Sequence, residues 1–261
     1  MDSIFKATIE NLLERCSEFD EIDADRINET LVHVLKNKDS SASASLAELE
    51  RRWYASLPNP DYTVYEHHDY IAELWGCWVI YSRKYLKNFQ KDNSFTRTRS
   101  IMSILGKPKT VLDLGCGFGH TAAAWKELIP TANVIGTNVP ATLQMSVAES
   151  MGNDYGFTMM DTPPETNVDV VFASEYFEHI ENPIAHLRML VERTNPRMLL
   201  VANAFGQRAI GHFLDYEVGH KRYLGKHMGR VFAYAMNKLG YQRVNTRLWN
   251  QRPALWMRAE G

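Results

Sequence analysis

Val111-Leu112-Asp113-Leu114-Gly115-Cys116-Gly117-Phe118-Gly119 is the stretch on which the reading of this chain turns. A short apolar run around Asp113 leads into glycines at every second position, and His120–Leu128 behind them has helical character. Without a Cβ the backbone can turn tightly and approach a bound molecule closely, so a strand that ends in glycines and opens a helix reads as a ligand loop. The spacing narrows the ligand. The dinucleotide fingerprint G-x-G-x-x-G would put its third glycine at position 120, which is His120; here it is Gly119, giving D-x-G-x-G-x-G.

Downstream, strand-like and helix-like periods alternate. Asn133–Val139, Phe157–Asp161, Val168–Ser174 and Met198–Ala204 read as strands, with helices over Thr142–Met151 and Pro183–Arg193. Lys226–Leu239 reads as a further helix, and Tyr241–Trp249 with Ala254–Arg258 as a closing hairpin. This alternation implies a mostly parallel sheet with right-handed crossovers. The antiparallel hairpin at the end is foreign to plain dinucleotide dehydrogenases.

Upstream the pattern is helical. Phe5, Ile9, Leu12, Leu13 and Cys16 recur at helical spacing, as do Ile27, Leu31, Val34 and Leu35. Lys38–Ser45 reads as a polar loop, and a helix over Leu46–Leu57 stops at Pro58. From His67 to Lys91 a long helix is expected, in which Trp75, Trp78, Tyr81, Tyr85 and Phe89 read either as core or as an aromatic wall over a site. The expected organisation is a helical segment over residues 1–93, serving as lid, substrate domain or dimer contact, and an α/β domain over 94–261.

Composition narrows the class. A chain of 261 residues, 45% hydrophobic and 23% charged, can bury the core of one α/β domain plus an appended segment. Met1–Glu10 lacks the apolar region of a secretory signal, and no apolar run approaches the ~20 residues that span a bilayer. Cys16, Cys77 and Cys116 are sparse and form no CxxC pair, so reduced thiols and a cytoplasmic setting are expected. His212, His220 and His227 match no ligand spacing, and no metal site is expected. Charge is uneven: 11 acidic residues against 4 basic over Val111–Phe205, but 3 against 10 over Gly206–Gly261. Between Arg83 and Lys109 stand Arg83, Lys84, Lys87, Lys91, Arg97, Arg99, Lys107 and Lys109 against Asp92 alone. If both basic segments flank the cleft, the expected partner is anionic: a phosphorylated or carboxylated metabolite, or nucleic acid.

A second stretch adds to the first. Asp169-Val170-Val171-Phe172-Ala173-Ser174-Glu175-Tyr176-Phe177-Glu178-His179-Ile180, followed by Asn182-Pro183, carries the pattern D-V-V-x-x-x-E-x-x-E-H. With Asp113–Gly119 it resembles the class I S-adenosylmethionine-dependent methyltransferases over about Val111–Phe205. The resemblance implies an α/β, Rossmann-like fold with a seven-stranded, mostly parallel sheet and a C-terminal antiparallel hairpin, and S-adenosyl-L-methionine as cofactor. It implies a cofactor-binding set of Asp113, Gly115, Cys116, Gly117, Gly119, Asn138, Asp161 and Ser174. Asn138 stands where the family carries an acidic residue for the ribose hydroxyls; its neutral amide accepts more weakly than a carboxylate. Asp161 reads either as the adenine partner or as a turn residue in Asp161-Thr162-Pro163-Pro164.

Methyl transfer displaces in line at an already activated carbon, so alignment and water exclusion dominate, and a base is needed only for a protonated nucleophile. Glu175 and His179 are the expected catalytic residues, His179 as base by its intrinsic pKa. Glu178 reads as a cap or a solvated residue. Arg208, His212, Asp215, Tyr216, Glu217, His220, Lys221 and Arg222 read as a loop, either bordering the substrate pocket or simply solvated. The fourth strand is followed by neither Asn-Pro-Pro-Tyr nor Pro-Cys, which counts against DNA-base methylation. A small, anionic metabolite is the first acceptor class, nucleic acid (RNA or DNA) the second; a non-methylating S-adenosylmethionine-binding relative is the third reading. No membrane partner is expected.

Overall fold

The structure, a computed structural model, describes Glu10 and residues 12–16, 24–37, 44–91, 100–246 and 253–259. Helices α1 (Ala24–Asn37), α2 (Ala44–Ser56), α3 (His68–Lys87) and the short α4 (Ile101–Leu105) precede the sheet. Residues 12–16 are helical as expected, whereas Phe5, Ile9 and most of the Lys38–Ser45 stretch lie outside the described residues. α3 starts at His68 because the His67 ring accepts from the Asp69 N–H, and Asp69 suits the positive end of the helix dipole. It tightens into a 3₁₀ turn at Asn88–Gln90, a turn before the expected end.

The αβ alternation then unfolds as the periods imply: β1 (Thr110–Asp113), α5 (His120–Leu128), β2 (Asn133–Thr137), α6 (Leu143–Tyr155), β3 (Thr158–Met160), β4 (Val170–Ser174), α7 (Pro183–Thr194) and β5 (Met198–Ala202). Next come β6 (Asp215–Val218), β7 (Lys221–Leu224), α8 (Gly225–Lys238), β8 (Tyr241–Val244) and β9 (Ala254–Arg258). Seven strands form one sheet in the order β3-β2-β1-β4-β5-β9-β8. β1 to β5 run parallel, and β9 pairs antiparallel with both β5 and β8. This is the Rossmann-like class I arrangement. The chain winds outward from β1 through β2 to β3, then returns to the other side of β1 as β4. Between the carboxyl ends of β1 and β4 the winding reverses, and such sheets open a ligand crevice at that point.

Burial explains the apolar runs. Leu112, Val171, Ala173, Leu199 and Val201 enter one core cluster, while Val111, Val170, Phe172, Met198 and Leu200 enter another. Strands covered on both faces need apolar residues at every position. The helices before the sheet share these clusters: Leu49 and Trp53 join the first, Leu86 and Phe89 the second. Trp75 packs with Ile27, Leu31 and Phe118 of the glycine loop. In the expected aromatic row, Trp75 of α3 and Phe89 of the 3₁₀ turn are therefore core. Tyr85 is partly buried 6.1 Å from the Phe172 ring, and the side chain of Tyr81 is outside the described residues.

Two expectations need correction. The run from Asp215 to Arg222 is not a plain loop: β6 and β7 pair antiparallel around Gly219-His220, and Arg222 faces Asp215, Glu217 and Glu181. Two residues led by a positive-φ glycine between short strands are a hairpin signal, hidden here by the density of charge. Nor does the basic run around Lys109 flank the crevice. Lys107 and Lys109 lead into the amino end of β1, where the Lys109 and Thr110 N–H groups donate to Asp169 Oδ2. That is the end of the sheet opposite the glycine loop. Arg97 and Arg99 lie outside the described residues. Among the described residues, no helix is long and apolar enough to cross a membrane.

Candidate active site

The glycine loop leaves β1 with positive φ at Gly115, Gly117 and Gly119, and Gly119 caps α5. β2 holds it from behind: Gly115 N donates to Thr137 Oγ1 (3.2 Å) and Cys116 N to the Thr137 carbonyl (3.0 Å). Asn138 does the same at the tip. Its Nδ2 donates to the Gly117 carbonyl at 2.8 Å, and its Oδ1 accepts from Val139 N at 2.9 Å. The amide is therefore a tether for the loop, a use a carboxylate could not copy because it has no donor. A Cβ built on Gly117 meets no atom within 4 Å, so this backbone faces open space. Past the ends of β2 and β3 lies an open cavity of about 520 Å³ bordered by Pro140, Thr142, Met145, Met159, Met160 and Asp161. Asp161 is exposed on its rim.

Asp113 sits beneath the loop, 2% exposed, accepting from the Thr121 hydroxyl at 2.5 Å. Burial pushes its carboxyl up from 3.8 to about 7, only partly opposed by Thr121. The raised folded value sets the sign of its pH effect. Between about pH 4 and pH 7 the folded state keeps a proton that the unfolded state has released, so stability falls as pH rises through this window, by at most ~1.4 kcal/mol per unit. Urea denaturation at pH 5 and pH 8 should therefore show a smaller difference for Asp113→Asn than for wild type. An identical pH response would refute the assignment.

Across the crevice, β4 ends at half-buried Ser174, and the chain turns sharply at Glu175, a non-glycine residue with φ of 52°. Glu175 N donates to the Ala202 carbonyl (2.7 Å), and Tyr176 lies against Gly115, so the two expected halves of the site meet. The 3₁₀ turn Phe177–His179 then carries Glu178 inward. Glu178 is neither a cap nor solvated: it is fully buried, and Oε1 accepts from Ala204 N at 2.8 Å. Burial, and then the neighbouring Glu175 charge, raise its carboxyl to about 8. His179 has Nδ1 2.9 Å from the Tyr65 hydroxyl and its ring 4.7 Å from His212. Burial, then His212, hold it down to about 3, so it is neutral and keeps a proton poorly.

Several residues here leave no local trace in the sequence. Tyr65 lies 114 positions before its partner His179. Trp53 of α2 donates from Nε1 to the His212 carbonyl at 2.8 Å, and Tyr54 holds the Ala209 backbone, so the N-terminal helices fix the 209–212 loop. Gly211, with φ of 84°, lets that loop pass against Tyr65 and His179. Arg208 of the same loop lies over the Tyr54 ring and pairs with Glu50.

A switch-point crevice with a glycine loop on one wall and a titratable cluster on the other marks an α/β protein that binds a ligand at the carboxyl ends of its strands. A family model described as a methyltransferase domain matches residues 85–234, more than half of the chain. The chain belongs to this family, the class I S-adenosylmethionine-dependent methyltransferases. Its fold is shared with an O-methyltransferase family protein from Burkholderia thailandensis (TM-score 0.56, 12% identity, covering 85% of this chain and 74% of that one). A mitomycin 7-O-methyltransferase is also similar (TM-score 0.50, 14% identity, 90% and 68%). In sequence the chain is similar to trans-aconitate 2-methyltransferase from Rhodopseudomonas palustris strain BisB18, 28% identical over 107 residues covering 38% of this chain and 42% of that protein. The strain BisB5 protein is 30% identical over 104 residues, 36% and 40%. The match spans about two fifths of the length of these relatives.

Proposed function

We propose that this protein transfers the methyl group of S-adenosyl-L-methionine to a small anionic acceptor. The observation that carries the reading is the open space over the Gly117 backbone, continuous in chain order with the Asn138 tether and the cavity beyond β2 and β3. The cofactor, when bound, supplies an already activated methyl carbon. On this reading Gly115, Cys116, Gly117 and Gly119 cradle its aminoacyl end, Asp113 supports the loop from below, and Ser174 lines the crevice. Asn138 positions Gly117 first and meets ribose second, while Asp161 on the cavity rim faces the adenine.

The chain's own work is then alignment and exclusion of water. Glu175 stands where β4 delivers an acceptor, and the Tyr65–His179 pair forms a wall beside it. A neutral, half-buried His179 orients an acceptor oxygen better than it takes up a proton. The helical segment over residues 1–93 acts as the cap on the acceptor side, through Trp53, Tyr54 and Tyr65. The anionic acceptor class is supported by the similarity to trans-aconitate 2-methyltransferase.

Transfer of labelled methyl from S-adenosylmethionine to a panel of di- and tricarboxylates and to an RNA and DNA pool tests the acceptor. Incorporation into carboxylates that persists as salt rises from 50 to 200 mM, roughly the range over which nucleic-acid affinity collapses by 10³ or more, is the expected result. Labelling confined to nucleic acid would replace this reading with a nucleic-acid methyltransferase.

A further inference from the structure

Beyond methyl transfer, we infer that Glu175, Glu178 and His212 form a binding site for a divalent first-row cation of the manganese type. One ligand atom from each of the three lies within 4.8 Å of the others. Donors bound to one cation at about 2.0–2.2 Å stand roughly 3–4 Å apart, so side-chain rotations that draw the donors together by up to about 1–2 Å would close the cluster on an ion.

The surroundings point the donors inward. Glu178 is 0% exposed, and with Oε1 taken by Ala204 N its second oxygen, Oε2, has no hydrogen-bond partner. Its backbone carbonyl accepts from Tyr216 Oη and Phe213 N, which fixes the 3₁₀ turn that carries the side chain inward. A buried carboxylate oxygen without a donor is costly unless a proton or a cation answers it. His212 is equally prepared: Nδ1 stands 3.0 Å from the Gln207 carbonyl, which can only accept, so Nδ1 carries the hydrogen and Nε2 keeps a lone pair. Metal-binding histidines are fixed in this way, by donating their other nitrogen to a carbonyl or carboxylate.

The strained φ of 52° at Glu175 is a third sign, since a non-glycine residue is held in that conformation only where the surroundings fix it. His179 borders the cluster, but its Nδ1 is engaged by Tyr65. Two carboxylates and one imidazole suit Mn²⁺ and its neighbours better than a thiolate-seeking ion. Three protein donors leave positions open for water or an oxygen ligand, as catalytic sites do.

The test uses the full chain, stripped with chelator and titrated with Mn²⁺ alone, free ion being read by electron paramagnetic resonance. One saturable Mn²⁺ per chain is expected, with affinity falling about 10–100-fold in Glu178→Gln and in His212→Asn. Glu178→Gln keeps the acceptor for Ala204 N, and His212→Asn keeps a donor for the Gln207 carbonyl. If one variant fails to fold by circular dichroism, the other still decides. No saturable Mn²⁺ on the wild type, or wild-type affinity in a folded variant, overturns the site. S-adenosylhomocysteine titrated into the same preparation separates the two readings: its binding without Mn²⁺ sinks only the cation site, and Mn²⁺ binding without it sinks only the cofactor site.

Discussion

Gly117→Ala is expected to weaken S-adenosylhomocysteine binding by at least about 30-fold, ~2 kcal/mol, while the protein stays folded. The two effects separate because of where the added methyl goes. Within the protein it touches nothing within 4 Å, so the folded state bears only the left-handed backbone (φ 57°), about 1–2 kcal/mol for a residue with a Cβ. Toward the crevice it occupies the space the loop keeps open for the cofactor. Calorimetric titration gives the affinity and urea denaturation the stability. A folded Gly117→Ala protein with wild-type affinity would move the cofactor off this loop.

Gly211→Ala should produce the converse pattern: turnover lower by about 100-fold, with S-adenosylhomocysteine affinity within a few-fold of wild type. A Cβ at Gly211 would lie 2.5 Å from His179 Nδ1 and closer still to the Tyr65 hydroxyl. Tyr65 has little room to retreat, packed at 6.1 Å from Trp53 and 5.2 Å from Tyr70, and His179 is backed by His212. The substitution thus breaks the wall beside Glu175 without touching the glycine loop. Steady-state kinetics alongside titration reads the split. A loss of cofactor affinity equal to the loss of turnover would mean that the 209–212 loop serves the cofactor rather than the acceptor.

The glycine loop and the β4 exit were legible because their constraints are local: positive φ, close approach and an apolar strand leave marks within a dozen residues. His179 and His212 were named from the sequence, but Tyr65, which joins them, was not, because it lies 114 positions before His179 with no shared spacing. Glu178 looked solvated because a glutamate three residues from another glutamate usually is; a 3₁₀ turn and the Ala204 amide carry it inward instead. At Asn138 the sequence flagged a departure from the family, and the structure supplies its use, a donor to Gly117 that an aspartate lacks. The basic run near Lys109 shows the limit of counting charge, since chain order alone does not say at which end of the strands it falls.

The central claim is that the crevice between β1 and β4 holds S-adenosylmethionine. Calorimetric titration of the 261-residue chain with S-adenosylhomocysteine tests it most directly. One site per chain, with a dissociation constant of about 100 μM or tighter, is the predicted result. No binding at millimolar ligand would contradict the account.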